Sequence, residues 1–362
     1  MVKHWSIATF LLLLLATLYS CRALSEDERL EEYRKRGYTW PPKEEEYVPN
    51  TKEWKERSKH RLHQIELIDQ GDGERYQGFM LGVYTSLLGR SFTDYGWGIT
   101  KAPKAVVDIL QKRLHDGLSA ENQNIESAQT CLDHGEGQEP LFFDDPNVNR
   151  EIVDALLPLH EAWSGVDLIP NNSYGLRVYR NESSLLMHVD KTDTHVISSI
   201  LHVGHGENDE PWPLVIEDYR GNVNEVFLES GDMLFYESSK LLHGRPRPMN
   251  GEYYSSLFSH YYPKDWDYET INYDNHIRVP AHWYQGIQRE EGDTTPKLVG
   301  VETTFKEPEC EHGWCDLQRS LKWHNVEAKY GQVFSGDKQY RTLNNIPSEE
   351  SFQELFSDKD EL

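Results

Sequence analysis

The sequence predicts an α+β fold, with helices preceding an antiparallel sandwich or barrel of short strands. Two observations carry this. Between Tyr174 and Ser259, short β-rich runs alternate with turn residues, the texture of an all-β core. Ahead of that region, apolar residues recur at helical spacing in two separate stretches. The chain has 362 residues with 12% aromatics, including ten Trp and twenty Tyr, so it can bury a sizeable core. No internal repeat interrupts this pattern.

Taken in order, residues 1–23 read as a secretory signal. Met1-Val2-Lys3-His4 gives a basic start, Ile7 to Leu18 is apolar apart from threonines, and Cys21-Arg22-Ala23 offers small residues for cleavage. The apolar run is short for a membrane span, although an uncleaved anchor is the alternative. Residues 24–75 form a charged extension, read as solvated helix and linker, and order is expected to begin near Tyr76. Residues 76–170 form a helical support region. In it a helix is predicted over Pro103 to Leu114, with Val106, Val107, Leu110 and Leu114 on one face and Gly117 just past its end. A second is predicted over Asn149 to Trp163, with Ile152, Leu156, Leu159 and Trp163 aligned and a bend at Pro158.

Residues 171–270 hold the predicted β core. Its strands are expected around 176–179, 185–188, 195–201, 214–217, 225–228, 233–236 and 254–259, with turns at Gly221-Asn222 and Ser230-Gly231-Asp232. Residues 271–362 read as a C-terminal extension whose end, from Ser348, is exposed.

The formal net charge of −24 argues against a nucleic-acid partner, which needs a basic face. A single apolar stretch excludes a multi-span membrane protein, and cleavage of the signal would leave no stable membrane insertion. The last four residues, Lys359-Asp360-Glu361-Leu362, match the endoplasmic-reticulum retrieval signal, which implies a retrieval receptor as partner. Both ends therefore point to the lumen of that compartment. The sequons Asn171-Asn172-Ser173 and Asn181-Glu182-Ser183 are compatible with it. In an oxidising lumen Cys310 and Cys315 suit a local disulfide, leaving Cys131 unpaired.

Chemistry concentrates in His188-Val189-Asp190 and His243. Alternate residues of a strand share a face, so His-x-Asp presents both groups on one side of a strand end. A third ligand from a later strand would complete two imidazoles and one carboxylate on a triangular face, with coordination positions left open. The run Leu228 to Tyr236 reads as strand, turn and strand, and delivers His243 a few residues later.

With these residues, the stretch 176–263 resembles the double-stranded β-helix (jelly-roll) core of 2-oxoglutarate/Fe(II) dioxygenases, in the prolyl 4-hydroxylase-like branch. Arg177-Val178-Tyr179, His188-Val189-Asp190, Ser230-Gly231-Asp232-Met233-Leu234-Phe235, His243, Pro246 and Gly251 carry the resemblance. It implies that His188, Asp190 and His243 hold Fe(II), with 2-oxoglutarate and O2 as cosubstrates and ascorbate as reductant. It also implies oxidative decarboxylation to succinate and CO2, coupled to hydroxylation of a secretory polypeptide at prolyl or other residues.

One departure stands out. Relatives of this kind bind the far carboxylate of 2-oxoglutarate with a Lys or Arg on the last strand, where this chain has Glu252 and Tyr253. A buried carboxylate needs a partner. The candidates are Arg245 with Tyr179, then the hydroxyls of Tyr253 and Ser255, with Arg177 next. If none serves, the alternative is a catalytically inactive jelly-roll that binds polypeptide or glycan. His202 and His205 read as turn or surface histidines, and Trp212, Tyr219, Tyr236 and Tyr254 as core or groove aromatics.

Overall fold

The computed structural model describes residues 52–68, 79–80, 82–83, 90–126, 137–267, 296–300 and 303–357, with single positions at 31, 35, 292 and 294. The signal-like segment 1–23, Tyr76, Cys131 and the terminal tetrapeptide lie outside the described residues. The helices are α1 (Lys52–Leu67), α2 (Lys104–Ser119), α3 (Pro146–Ser164) and α4 (Glu349–Phe356). The first strands are β1 (Trp97–Lys101), β2 (Leu141–Phe142), β3 (Leu168–Arg180), β4 (Leu185–His188) and β5 (Ile197–His205). They are followed by β6 (Leu214–Glu217), β7 (Val223–Val226), β8 (Asp232–Tyr236), β9 (His243–Arg245) and β10 (Tyr253–Pro263). Three short strands, β11 (Leu321–Trp323), β12 (Gln332–Phe334) and β13 (Tyr340–Thr342), complete the set.

The larger sheet has the order β13-β12-β1-β8-β5-β10-β3-β2 and the smaller β11-β7-β6-β9-β4. Between β3 and β10 the chain changes sheet at every connection except β6–β7. This winds a double-stranded β-helix, the jelly-roll arrangement of the α+β fold. All pairings are antiparallel except β11 with β7.

Alternation along β8 shows how the layers form. Met233 and Phe235 point to α2 and α3, where Val106, Leu110, Leu114, Ile152, Leu156 and Leu159 are buried. Leu234 and Tyr236 point the other way, into an inter-sheet core with Ile99, Ile200, Leu214 and Ile216. Each such side chain contributes about 1.5–3 kcal/mol on burial. Trp163 stacks on Phe235 with ring centroids 5.2 Å apart, fixing α3 against the sheet.

Several expectations require correction. Gly117 lies inside α2 rather than beyond it. The helix at 52–67 is not merely solvated. Its Ile65 and Leu67, with Ile68 just beyond, pack on Met187, Val189 and Val215 of the smaller-sheet side, and Arg57 and Arg61 both pair with the buried Glu217. Order therefore begins well before Tyr76. Within the described part of the C-terminal extension, β12 extends the larger sheet beside β1, and β11 the smaller beside β7. Nor is its end wholly exposed, because α4 buries Phe352 and Phe356 in the helix-side core. Cys310 and Cys315 are joined in a disulfide, with Cα atoms 4.9 Å apart.

Candidate metal centre

The triad is assembled by the pairing of β4 with β9. His188 ends β4 and His243 begins β9, and the two are direct cross-strand partners. Their rings lie 4.3 Å apart between centroids. Gly244 permits this approach, since a Cβ there would stand 2.7 Å from the carbonyl oxygen of Leu186. Asp190 follows two residues after His188, held by its amide donating to the Ser238 carbonyl at 2.9 Å.

One ligand atom from each of His188, Asp190 and His243 lies within 4.8 Å of the others. Asp190 Oδ1 is 3.5 Å from His188 Nε2 and 3.7 Å from His243 Nε2. Each imidazole places Nδ1 2.8 Å from a backbone carbonyl, Leu186 for His188 and Leu241 for His243. Because a carbonyl only accepts, both Nδ1 atoms carry a proton, and both Nε2 atoms face the centre. Burial opposes ionisation of Asp190, but hydrogen bonding to His188 and the nearby His243 and His260 rings outweigh it. They hold its carboxyl below the ordinary carboxylate range. Desolvation, followed by the neighbouring His188, pushes His243 down to about 4, so it presents a neutral ring. Two imidazoles and a carboxylate are the donor set that suits a divalent first-row metal such as Fe(II).

The triad opens on a cavity of about 710 Å³ between the sheets, lined also by Tyr174, Arg177, Tyr179, Tyr236, Arg245 and His260. Arg245 shares the inner face of β9 with His243 and is 3% exposed. Its guanidinium carbon lies 4.6 Å from the Trp212 ring centre and 4.3 Å from that of Tyr254, an aromatic clamp. Nη1 donates to the Trp212 carbonyl, whereas the buried Nη2 has no hydrogen-bond partner. Among the described residues no carboxylate pairs with it. His202 stacks on Tyr254, and desolvation, with His205 and Arg245 nearby, lowers its pKa well below the ordinary imidazole range.

The other candidates fall differently. Arg177 already faces a carboxylate, with its Nε 2.8 Å from Glu126, and Nη1 donates to the Tyr179 hydroxyl at 3.2 Å. Tyr253 and Ser255 do not line the cavity. Ser255 pairs with Val178, whose side chain faces the helices, whereas Tyr254 pairs with the cavity-lining Tyr179. Tyr253 follows Ser255 to the helix side. His202 and His205 are not surface residues of a turn: both belong to β5, and His202 is fully buried with Nε2 2.8 Å from His205 Nδ1. Sequon residue Asn171 lines the cavity, while Asn181 lies exposed after β3.

A second cluster joins His60, Glu307 and Cys315, but the sulfur of Cys315 is taken by the disulfide. There the His60 ring bridges Glu307 and Asp316, a structural contact between α1 and the C-terminal segment.

No family model matches the sequence, and no curated protein does. Among solved structures, the chain is similar to a Trichoplax adhaerens prolyl hydroxylase bound to a hypoxia-inducible-factor peptide. That match has 13% identity and a TM-score of 0.38, and covers 56% of this chain and 94% of the other. HygX of Streptomyces hygroscopicus, solved with nickel, 2-oxoglutarate and hygromycin B, gives 13% identity and a TM-score of 0.37, with 48% and 86% covered. An oxidoreductase of the 2OG-Fe(II) oxygenase family from Burkholderia pseudomallei gives 14% and 0.34, with 46% and 85% covered. The chain's structural neighbours thus include 2OG-Fe(II) oxygenases, and what the centre does is read from its own residues.

Proposed function

We propose that this chain is a 2-oxoglutarate- and Fe(II)-dependent dioxygenase of the endoplasmic-reticulum lumen that hydroxylates a secretory polypeptide, with prolyl residues the first target to test. The observation that carries the reading is the coexistence, in one cavity, of a His₂Asp donor set and a buried arginine lacking an anionic partner. Leaving a guanidinium buried and unpaired is costly. A dicarboxylate that reaches from the metal to Arg245 would relieve that cost.

His188, Asp190 and His243 would hold the iron and leave one side of it open to the cavity. When bound, iron supplies redox chemistry with dioxygen and the keto acid. Arg245, clamped by Trp212 and Tyr254, would receive the far carboxylate, and Tyr179 would border it. Trp212 and Tyr254 exclude water from the guanidinium and so strengthen its hold on an anion. Arg245 also supports an enzyme over an inactive barrel, because it supplies the cation missing at positions 252 and 253. The lumenal location is supported by the signal-like segment and the terminal tetrapeptide.

The test is succinate release by the purified protein given Fe(II), ascorbate, 2-oxoglutarate and proline-containing peptides. Iron-dependent succinate, absent in His188→Ala, is expected. No turnover with any peptide, together with no binding of 2-oxoglutarate, would establish the binding barrel instead.

A further inference from the structure

The two oxygens of Asp190 face different surroundings. Oδ1 turns to the Nε2 atoms of both histidines, at 3.5 and 3.7 Å. Oδ2 turns away, towards the Tyr236 hydroxyl at 3.3 Å and His260 Nδ1 at 3.9 Å. Tyr236 belongs to β8 of the larger sheet, whereas both histidines stand on the smaller sheet. Its ring also meets the His243 ring edge-on, with centroids 4.7 Å apart. One buried side chain therefore touches two members of the triad from across the inter-sheet core.

Behind it the larger sheet is braced by hydroxyls. Ser198 Oγ lies 2.7 Å from Ser238 Oγ and 2.9 Å from His260 Nδ1, and Ser238 Oγ donates to the His195 carbonyl at 2.6 Å. The Ser238 carbonyl in turn accepts from the Asp190 amide. Both the backbone and the outer oxygen of Asp190 are thus fixed to β8 and the turn that follows it.

We propose that Tyr236 is the positioning residue of the centre: its hydroxyl donates to Asp190 Oδ2, so the carboxylate would offer a bound metal its other oxygen alone. This rests on the proposal that the triad binds a metal. A ligating carboxylate that is free to rotate can bring its second oxygen to the metal. A donor fixed on the outer oxygen prevents that and orients the ligand, as hydrogen bonds behind metal ligands generally do.

The experiment is Mn(II) affinity, by electron paramagnetic resonance on the full chain, for wild type, His188→Ala and Tyr236→Phe. Alongside it, the Co(II) d–d spectrum reports coordination. Tyr236→Phe keeps the ring against His243 and removes only the donor. Expected are a thermal midpoint close to wild type, a 10–100-fold weaker Mn(II) affinity and an altered Co(II) spectrum. Wild-type Mn(II) affinity and an unchanged Co(II) spectrum in Tyr236→Phe would overturn the inference. Equal affinity in wild type and His188→Ala would instead sink the metal centre itself. Should Tyr236→Phe not fold, 4-fluorophenylalanine at position 236 fills the hydroxyl's space without donating and is read in the same way.

Discussion

At the scale of single residues, Arg245 is where the proposed oxygenase and an inactive barrel differ in what they predict. On the proposed reading, replacing it by Gln removes a charge-assisted contact to the cosubstrate worth about 1.5–3 kcal/mol. The expected result is a 2-oxoglutarate requirement raised roughly 10–100-fold with Mn(II) affinity unchanged, checked by titrating each ligand separately. An unchanged requirement would move the anchoring role elsewhere. The position of Arg245 beside the triad was legible because it stands two residues from His243 on one strand, where alternation puts both on the same face. Tyr253 and Ser255 were misplaced by the same rule. With β10 paired so that Tyr254 meets Tyr179, a one-residue difference moves them to the helix side. Tyr236 looked like any core aromatic, since nothing local in the sequence shows that β8 crosses behind Asp190.

At the scale of elements, the informative case is α1. Its many charges suggested a solvated helix, yet Arg57 and Arg61 are buried against Glu217 of β6. A buried ion pair leaves a sequence signature of charge, while its consequence for packing is that of a core contact. Glu217→Leu would leave two guanidinium groups buried without that carboxylate. A loss of about 3–5 kcal/mol is expected in denaturant unfolding, and a change below 1 kcal/mol would mean that α1 is held by its apolar residues alone. The β4–β9 pair makes a second demand. Gly244→Ala forces the two strands apart where the histidines meet, so metal affinity is expected to fall with little loss of helix content by circular dichroism. Strands β4 and β6 were readable to the residue, because each is a three-residue apolar run closed by one polar residue. Strands β11 to β13 were not, since three-residue strands carry too little periodicity and gain their partners only from the completed sheets.

At the scale of the molecule, the C-terminal segment clasps α1 through His60, Glu307 and Asp316. Burial alone would lower the His60 pKa, but the hydrogen bonds that its ring donates to Asp316 and Glu307 win and raise it from 6.5 to about 9. A histidine whose folded pKa is raised contributes stability that is complete below 6.5 and lost as pH climbs through 9. Unfolding free energy is therefore expected to drop by on the order of 3 kcal/mol across that window, and His60→Gln should flatten the drop. A parallel pH profile in that variant would contradict the assignment. This long-range bridge links positions far apart in sequence, which is why neither end of it was visible beforehand.

The central claim is that His188, Asp190 and His243 form a metal centre that shares its cavity with an anion seat at Arg245. The most direct measurement is calorimetric titration of 2-oxoglutarate into the full chain, with and without Mn(II), for wild type and His188→Ala. Tight binding that requires Mn(II) and disappears in His188→Ala is the predicted result. Binding that ignores the metal and survives the substitution would contradict it.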